Sequence, residues 1–221
     1  MDNSTKKIPL AKAFFGSVWF RCISVLLVIA VLLSGALALL NDVLYVSAQE
    51  RTDRAIKKIY GAIPVYTIEL DIDSTEDSVN KTAIGYNFDA DQEYEGYINK
   101  IYTVGDVNDE HDTLFQAVGF EGYKGGSITV WVKVKHTTDG KSSIEQVLLQ
   151  SYDKQTLMSK LDGSYYGRFL VDVTDAYKNG QSFTTQSGNG EFTNPVSGAT
   201  YSAKAGNNAV NCVVEYIGGV K

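Results

Sequence analysis

From Cys22 to Leu40 the chain reads "CISVLLVIAVLLSGALALL", nineteen residues without a charge. A helix of that length reaches across the hydrocarbon core of a bilayer, which takes about 20 apolar residues. The residues on its two sides then face different compartments. Lys6, Lys7, Lys12 and Arg21 precede the run, with Asp2 as the one acid among them, and Asn41-Asp42 follows it. The positive-inside rule places the amino terminus in the cytoplasm and everything after the run outside. The other reading is a cleaved signal peptide, for which "SGALA" offers small residues near a cleavage site. A retained anchor is expected, because the run exceeds the usual signal-peptide core of about 7–15 residues. The resulting organisation is a cytoplasmic basic arm over 1–21, a transmembrane helix over 22–40 and an extracytoplasmic domain over 41–221. It describes a single-pass protein of the cell membrane whose anchor has lipid as its partner.

The 221 residues, less the anchor, suffice for one domain with its own core. The net charge of -6 arises from 26 Asp and Glu against 20 Lys and Arg, and four of the basic residues lie in the arm. The outer domain is therefore more acidic than the whole, which excludes nucleic acid as a partner, since binding phosphates needs a basic footprint. Of the two cysteines, Cys22 lies in the apolar run and Cys212 near the end. Neither a disulfide framework nor a thiolate metal site is expected from them.

The outer domain reads as α+β, an antiparallel sheet with flanking helices. In "SAQERTDRAIKKIYG" the residues Ala55, Ile56 and Ile59 share one side among charges and Gly61 stops the pattern, which predicts a surface helix. "IPVYTIELDID" alternates as a strand does. The acidic, Asn-rich stretch from Asp71 to Asp91 reads as an irregular insertion, and "EYEGYINKIYTVG" as another strand region. The clearest hairpin follows. Ile128, Val130, Val132 and Val134 fall on one face, Thr129, Trp131 and Lys133 on the other, and Asp139-Gly140 supplies the turn before a strand from Ile144.

Near the end stands "NPVSGATYSAKAGNNAVNCVVEYIG", Asn194 to Gly218. Beyond Thr200 the positions Ala203, Ala209, Val210, Val213, Val214 and Ile217 follow helical spacing, and Gly218-Gly219 ends it. Thr200 thus falls at or just before a helix amino terminus, where free N–H groups and the helix dipole favour an anion and small residues let a phosphate approach. The alternative on local physics is that Ser197 or Thr200 is an N-cap.

"SGAT" before a helix of small residues, at the end of an anchored outer domain, resembles the FMN-binding domain family. That family includes the G subunit of Rnf electron-transport complexes and the C subunit of the sodium-translocating NADH:quinone oxidoreductase. The resemblance implies that a flavin transferase esterifies the Thr200 hydroxyl with the phosphate of FMN, and that Ser197, Gly198, Ala199 and Ser202 surround the attachment. "GYKGGSITVWVKV", Gly122 to Val134, is similar to the family's Gly-Gly loop beside the flavin, which brings in Gly125 and Gly126. The family's Glu-Thr-Pro-Gly-Leu-Gly segment has its counterpart in "QTLMSK", carrying Gln155 and Thr156 over with Gln in place of Glu. Where the family has Asp three residues before the Ser, this chain has Asn194.

The function so implied is a membrane-anchored electron carrier with covalent FMN, a subunit of an ion-translocating redox complex of Rnf type, from ferredoxin to NAD, with other membrane subunits as partners. No catalytic acid or base of the chain's own is required, since the flavin supplies the redox chemistry. Two alternatives belong to other classes: an anchored binding or assembly domain that keeps the fold without flavin, and a surface enzyme whose flavin donates to a small acceptor. His111 and His136 stand alone in polar sequence and read as surface residues, and "DVNDEHD", Asp106 to Asp112, reads as a solvated loop. Sheet packing accounts for Trp131 and most of the tyrosines.

Overall fold

The computed structural model of the protein describes residues 18–44, 46–73, 83–86, 95–173, 192 and 195–218. Contacts divide the chain into two units, Met1–Ser47 and Ala48–Lys221.

The first unit holds helix α1, Val18–Leu44. It is exposed along its length and is long and apolar enough, over Val18–Asn41, to cross a membrane once or to serve as a signal sequence. The helix reaches beyond the apolar run of 22–40 at both ends, with Val18, Trp19 and Phe20 extending its apolar surface backwards and Arg21 carried within it. A long basic side chain near a helix end can reach out of an apolar layer along its own stem. Ser24 Oγ donates to the Phe20 carbonyl at 2.8 Å and Ser34 Oγ to that of Val31 at 3.1 Å, so neither hydroxyl needs water.

In the second unit the helix expected from 47–61 is α2, Ala48–Tyr60, and it stops at Gly61, whose φ of +77° suits glycine. Six antiparallel strands follow: β1 Tyr66–Asp71, β2 Ile84–Tyr86, β3 Gly96–Val104, β4 His111–Gly119, β5 Ile128–His136 and β6 Ser142–Tyr152. Their order is β1-β3-β4-β5-β6, with β2 also on β3. β1 pairs with Lys100 to Val104 and β2 with Gly96 to Ile98, so the two lie end to end along one edge of β3. The stretch read as an irregular insertion is thus partly strand: Asp71 closes β1 and β2 rejoins the sheet. Residues 74–82 and 87–91 lie outside the described residues.

β4 has no counterpart in the sequence reading, yet it lies at the centre of the sheet. The reason is its burial. Leu114 packs towards α2 and Phe115 and Ala117 towards the other face, so "LFQAV" carries apolar residues on both faces and, with Gln116 its one polar residue, shows no regular alternation. A short helix α3, Gly163–Gly167, follows the sheet with Asp162 as its N-cap, accepting from Ser164 N and Tyr165 N.

Helix α4, Thr200–Ile217, begins and ends where its spacing predicts and packs on one face of β3, β4 and β5. It lies close to the sheet because Gly96 and Gly119 are register partners beneath it. A Cβ at Gly119 would stand 1.9 Å from the Ala205 carbonyl oxygen and 2.4 Å from Ala209 N. Its buried asparagines have partners: Asn211 exchanges hydrogen bonds with the Phe192 main chain at 2.7 and 3.2 Å, Asn208 donates to the Phe120 carbonyl at 3.2 Å, and Asn207 accepts from Tyr165 at 3.1 Å. The opposite face of the sheet carries a second cluster, Ile56 of α2 against Tyr102, Leu114 and Trp131.

Candidate functional site

The start of α4 is built by a turn. Ala199 N donates to the Val196 carbonyl at 3.0 Å across Ser197 and Gly198, and Gly198 takes a φ of +76° that a side chain would strain. Thr200 is the first helical residue and Ala199 is the N-cap, with no side-chain cap. The reading of Ser197 or Thr200 as the N-cap is therefore corrected. With alanine at this position, no hydroxyl or carboxylate of the N-cap occupies the first-turn N–H groups of Thr200, Tyr201 and Ser202, which have no acceptor within the helix. Thr200 itself is exposed.

Gln155 ties this helix start to two other segments. Buried at 7 % exposure, it accepts from Ser202 Oγ at 2.7 Å and from Tyr123 N at 3.0 Å, and its amide nitrogen donates to the Asp153 carbonyl at 2.8 Å. The glycine loop must pass close by. A Cβ at Gly126 would meet the Asp153 carbonyl oxygen at 2.2 Å, and one at Gly122 would meet the Gln155 amide nitrogen at 2.4 Å. Gly125 needs its freedom for another reason, a φ of +68° in the turn Tyr123–Gly125.

The three segments enclose a cleft of about 270 Å³, lined by Thr200, Ser202 and Thr156, by Gly198 and Ala199, and by Tyr123, Leu157 and Tyr201. Among these, Tyr123, Leu157 and Tyr201 expose apolar surface that the core does not use. Lys160 brings a cation to the turn: its Nζ donates to the Ser197 carbonyl at 3.2 Å and covers Gly198, where a Cβ would stand 2.4 Å from it. A reachable hydroxyl, free N–H groups, a nearby ammonium and an aromatic rim suit an anionic group joined to a flat apolar one.

The structure therefore brings together most of the residues singled out from sequence. Thr200, Ala199, Gly198, Ser202 and Thr156 line the cleft. Gln155 and Gly126 stand behind it, and Ser197 contributes through its carbonyl. Gly125 shapes the loop without lining the cleft, and Asn194 lies outside the described residues. Tyr123, Leu157, Lys160 and Tyr201 were not picked out in the sequence. All four sit inside the quoted segments, but only the fold brings their side chains together around the start of α4.

The two histidines are not isolated in space. His111 and His136 are register partners with rings 4.7 Å apart, and His136 also contacts Ser142 Oγ at 2.8 Å. Burial and the facing His111 push the His136 imidazole down to about 4. Asp106 accepts from Asn108 N and Nδ2, both at 2.9 Å, within the turn before β4, and Asp112 belongs to β4 itself. Trp131 is buried in the α2 cluster, on the face away from Thr200. No family model matches the chain, and no curated protein or solved structure matches it.

Proposed function

We propose that the protein is a membrane-anchored flavoprotein electron carrier in which FMN is joined through its phosphate to Thr200. It works as a subunit of an ion-translocating redox complex of Rnf type, beside other membrane subunits, with the arm in the cytoplasm and the folded domain outside. One observation carries this reading: the segments around 122–126, 155–157 and 197–202, far apart in sequence, meet at one cleft with an exposed Thr hydroxyl at an uncapped helix start.

The donor set fits the group. The first-turn N–H groups and Lys160 would offset the charge of a phosphate, and the hydroxyl of the exposed Thr200 would carry it. Tyr123, Leu157 and Tyr201 offer apolar contact to a ring system. The cleft is just under the usual range of about 300–1,000 Å³ for ligand pockets, and its rim of exposed side chains leaves it open to a partner protein. Flavin, when bound, supplies the electron transfer, and the chain binds and orients it. Gln155 contributes by position alone, because its polar atoms hold the walls together.

The test is the intact mass of the protein produced beside its cognate flavin transferase. A gain of one FMN is expected, together with in-gel flavin fluorescence under denaturing conditions. Thr200→Ala is expected to abolish both, whereas Thr200→Ser keeps a hydroxyl and retains part of the signal. Fluorescence that persists in Thr200→Ala would place the attachment elsewhere. An unmodified wild type beside an active transferase would favour the binding or assembly domain without flavin.

A further inference from the structure

The chain holds two histidines, and the register of β4 and β5 sets His111 directly opposite His136. They share a face with Thr113, Phe115 and Ala117 of β4 and with Val134 and Val132 of β5, the face that carries α4. Both residues are half-buried, and their rings lie 4.7 Å apart at 23° to each other.

Each ring has one nitrogen fixed by an oxygen. His111 Nδ1 stands 3.0 Å from the Asp109 carbonyl, which only accepts, so Nδ1 carries the proton and the Nε2 lone pair of the neutral ring is open. His136 Nδ1 stands 2.8 Å from Ser142 Oγ, which belongs to β6 and so lies on the side away from His111. A hydroxyl accepts as readily as it donates, so this contact serves the same tautomer. Among the described residues neither Nε2 has a hydrogen-bond partner, and neither is sealed from solvent. An imidazole that anchors one N–H on an oxygen and keeps the other nitrogen open is oriented as a metal-binding histidine is.

The charges around the pair favour a cation. Burial and the facing His111 lower the affinity of His136 for a proton, which leaves its lone pair available at neutral pH. The carboxylate of Asp106 acts on His111 and that of Asp112 on His136. Lys133 and Lys135 belong to the opposite face by alternation, paired with Asp112 and Glu145 and with Glu110, and Lys141 in the turn after β5 is paired with Asp139. No third His, Cys, Asp or Glu joins the two rings among the described residues, so any ion held there keeps water in its other positions. Imidazole suits zinc, copper and nickel, whereas calcium and magnesium take oxygen. The lone pairs leave the stacked rings side by side. Bringing both nitrogens to about 2.0–2.1 Å from one ion takes a turn of the rings about Cβ–Cγ, a torsion with a broad minimum.

We propose that His111 and His136 bind one divalent transition-metal ion, zinc, nickel or copper, between their Nε2 atoms. The site shares no residue with the Thr200 cleft and stands independently of flavin attachment. The full-length protein, without a polyhistidine tag, in detergent and stripped of metal, is titrated at neutral pH with zinc, nickel and copper(II) chlorides by calorimetry, and the copper-loaded sample is read by electron paramagnetic resonance. Saturable binding of one ion per chain is expected for at least one metal, with coupling of copper to two imidazole nitrogens. His111→Phe and His136→Phe keep a flat ring in the stack and lose the nitrogens, and each is expected to weaken binding tenfold or more, whereas Thr200→Ala leaves it unchanged. His111→Gln and His136→Gln are measured beside them, so that a phenylalanine variant that fails to fold does not decide the result. No saturable binding of any of the three ions, undiminished affinity in the folded variants of either histidine, or copper coupled to fewer than two nitrogens each overturns the proposal.

Discussion

Gln155 shows how one side chain can hold a site that it does not line. Two donors, Tyr123 N and Ser202 Oγ, converge on its carbonyl oxygen, and its nitrogen answers the Asp153 carbonyl. Gln155→Leu keeps the approximate volume and strands all three groups, so a loss of about 2–3 kcal/mol is expected in urea unfolding. The same variant should lower flavin occupancy without touching Thr200. Gln155→Glu keeps the acceptor and loses the donor, leaving a carboxylate near the Asp153 carbonyl, and a smaller loss of stability is expected. If Gln155→Leu were as stable as the wild type, the three segments would be held by their own packing.

At the scale of elements, the position of α4 rests on what is missing from the sheet beneath it. The atoms that a Cβ at Gly119 would meet are main-chain atoms of α4, which cannot rotate away, so Gly119→Ala must lift the helix. A cost of about 3 kcal/mol is expected, or roughly 6–12 °C in thermal midpoint for a domain of this size. At the other end of β4 and β5, His136 is held at about 4 against an ordinary value of 6.5, by burial first and by His111 next, with Asp112 opposing both. A histidine whose folded value lies below its unfolded one favours the neutral ring in the fold. Its contribution is fully present above about pH 6.5 and is lost as the pH falls through 4. Because the ring keeps some contact with solvent, the effect is discounted to about 1 kcal/mol. Urea midpoints for the wild type should fall more steeply between pH 7 and 4.5 than those of His136→Gln. Parallel profiles would show that the ring titrates alike in both states.

For the whole molecule the question is which compartment receives the domain Ala48–Lys221. The exposed apolar surface of α1 has no use in water, and Lys6, Lys7 and Lys12 lie before it, with Arg21 near its start. Protease added to spheroplasts is expected to remove the domain while a cytoplasmic control survives, and the chain is expected to stay with carbonate-washed membranes with its amino terminus intact. Protection that is lost only on lysis would reverse the orientation. Release into the wash, with a new amino terminus near residue 40, would make α1 a cleaved signal peptide.

Local sequence determined the features that depend on neighbours along the chain: the apolar helix, the amphipathic α2 with its glycine stop, the alternation of β5, the Asp139-Gly140 turn and the span of α4. Each follows from a short-range period or from a residue with a special backbone preference. The tertiary structure decided the rest. β4 escaped notice because a strand covered on both faces has no alternation to show, and the His111–His136 pair exists only through the register of two strands. The candidate site divides in the same way. Thr200 at a helix start was readable from spacing, but Ala199 as the N-cap was not, because a cap is set by backbone angles at a turn. Lys160 reaches Ser197 across 37 residues. No local pattern encodes a contact of that separation, which arises only when the sheet brings the loop after β6 beside the start of α4.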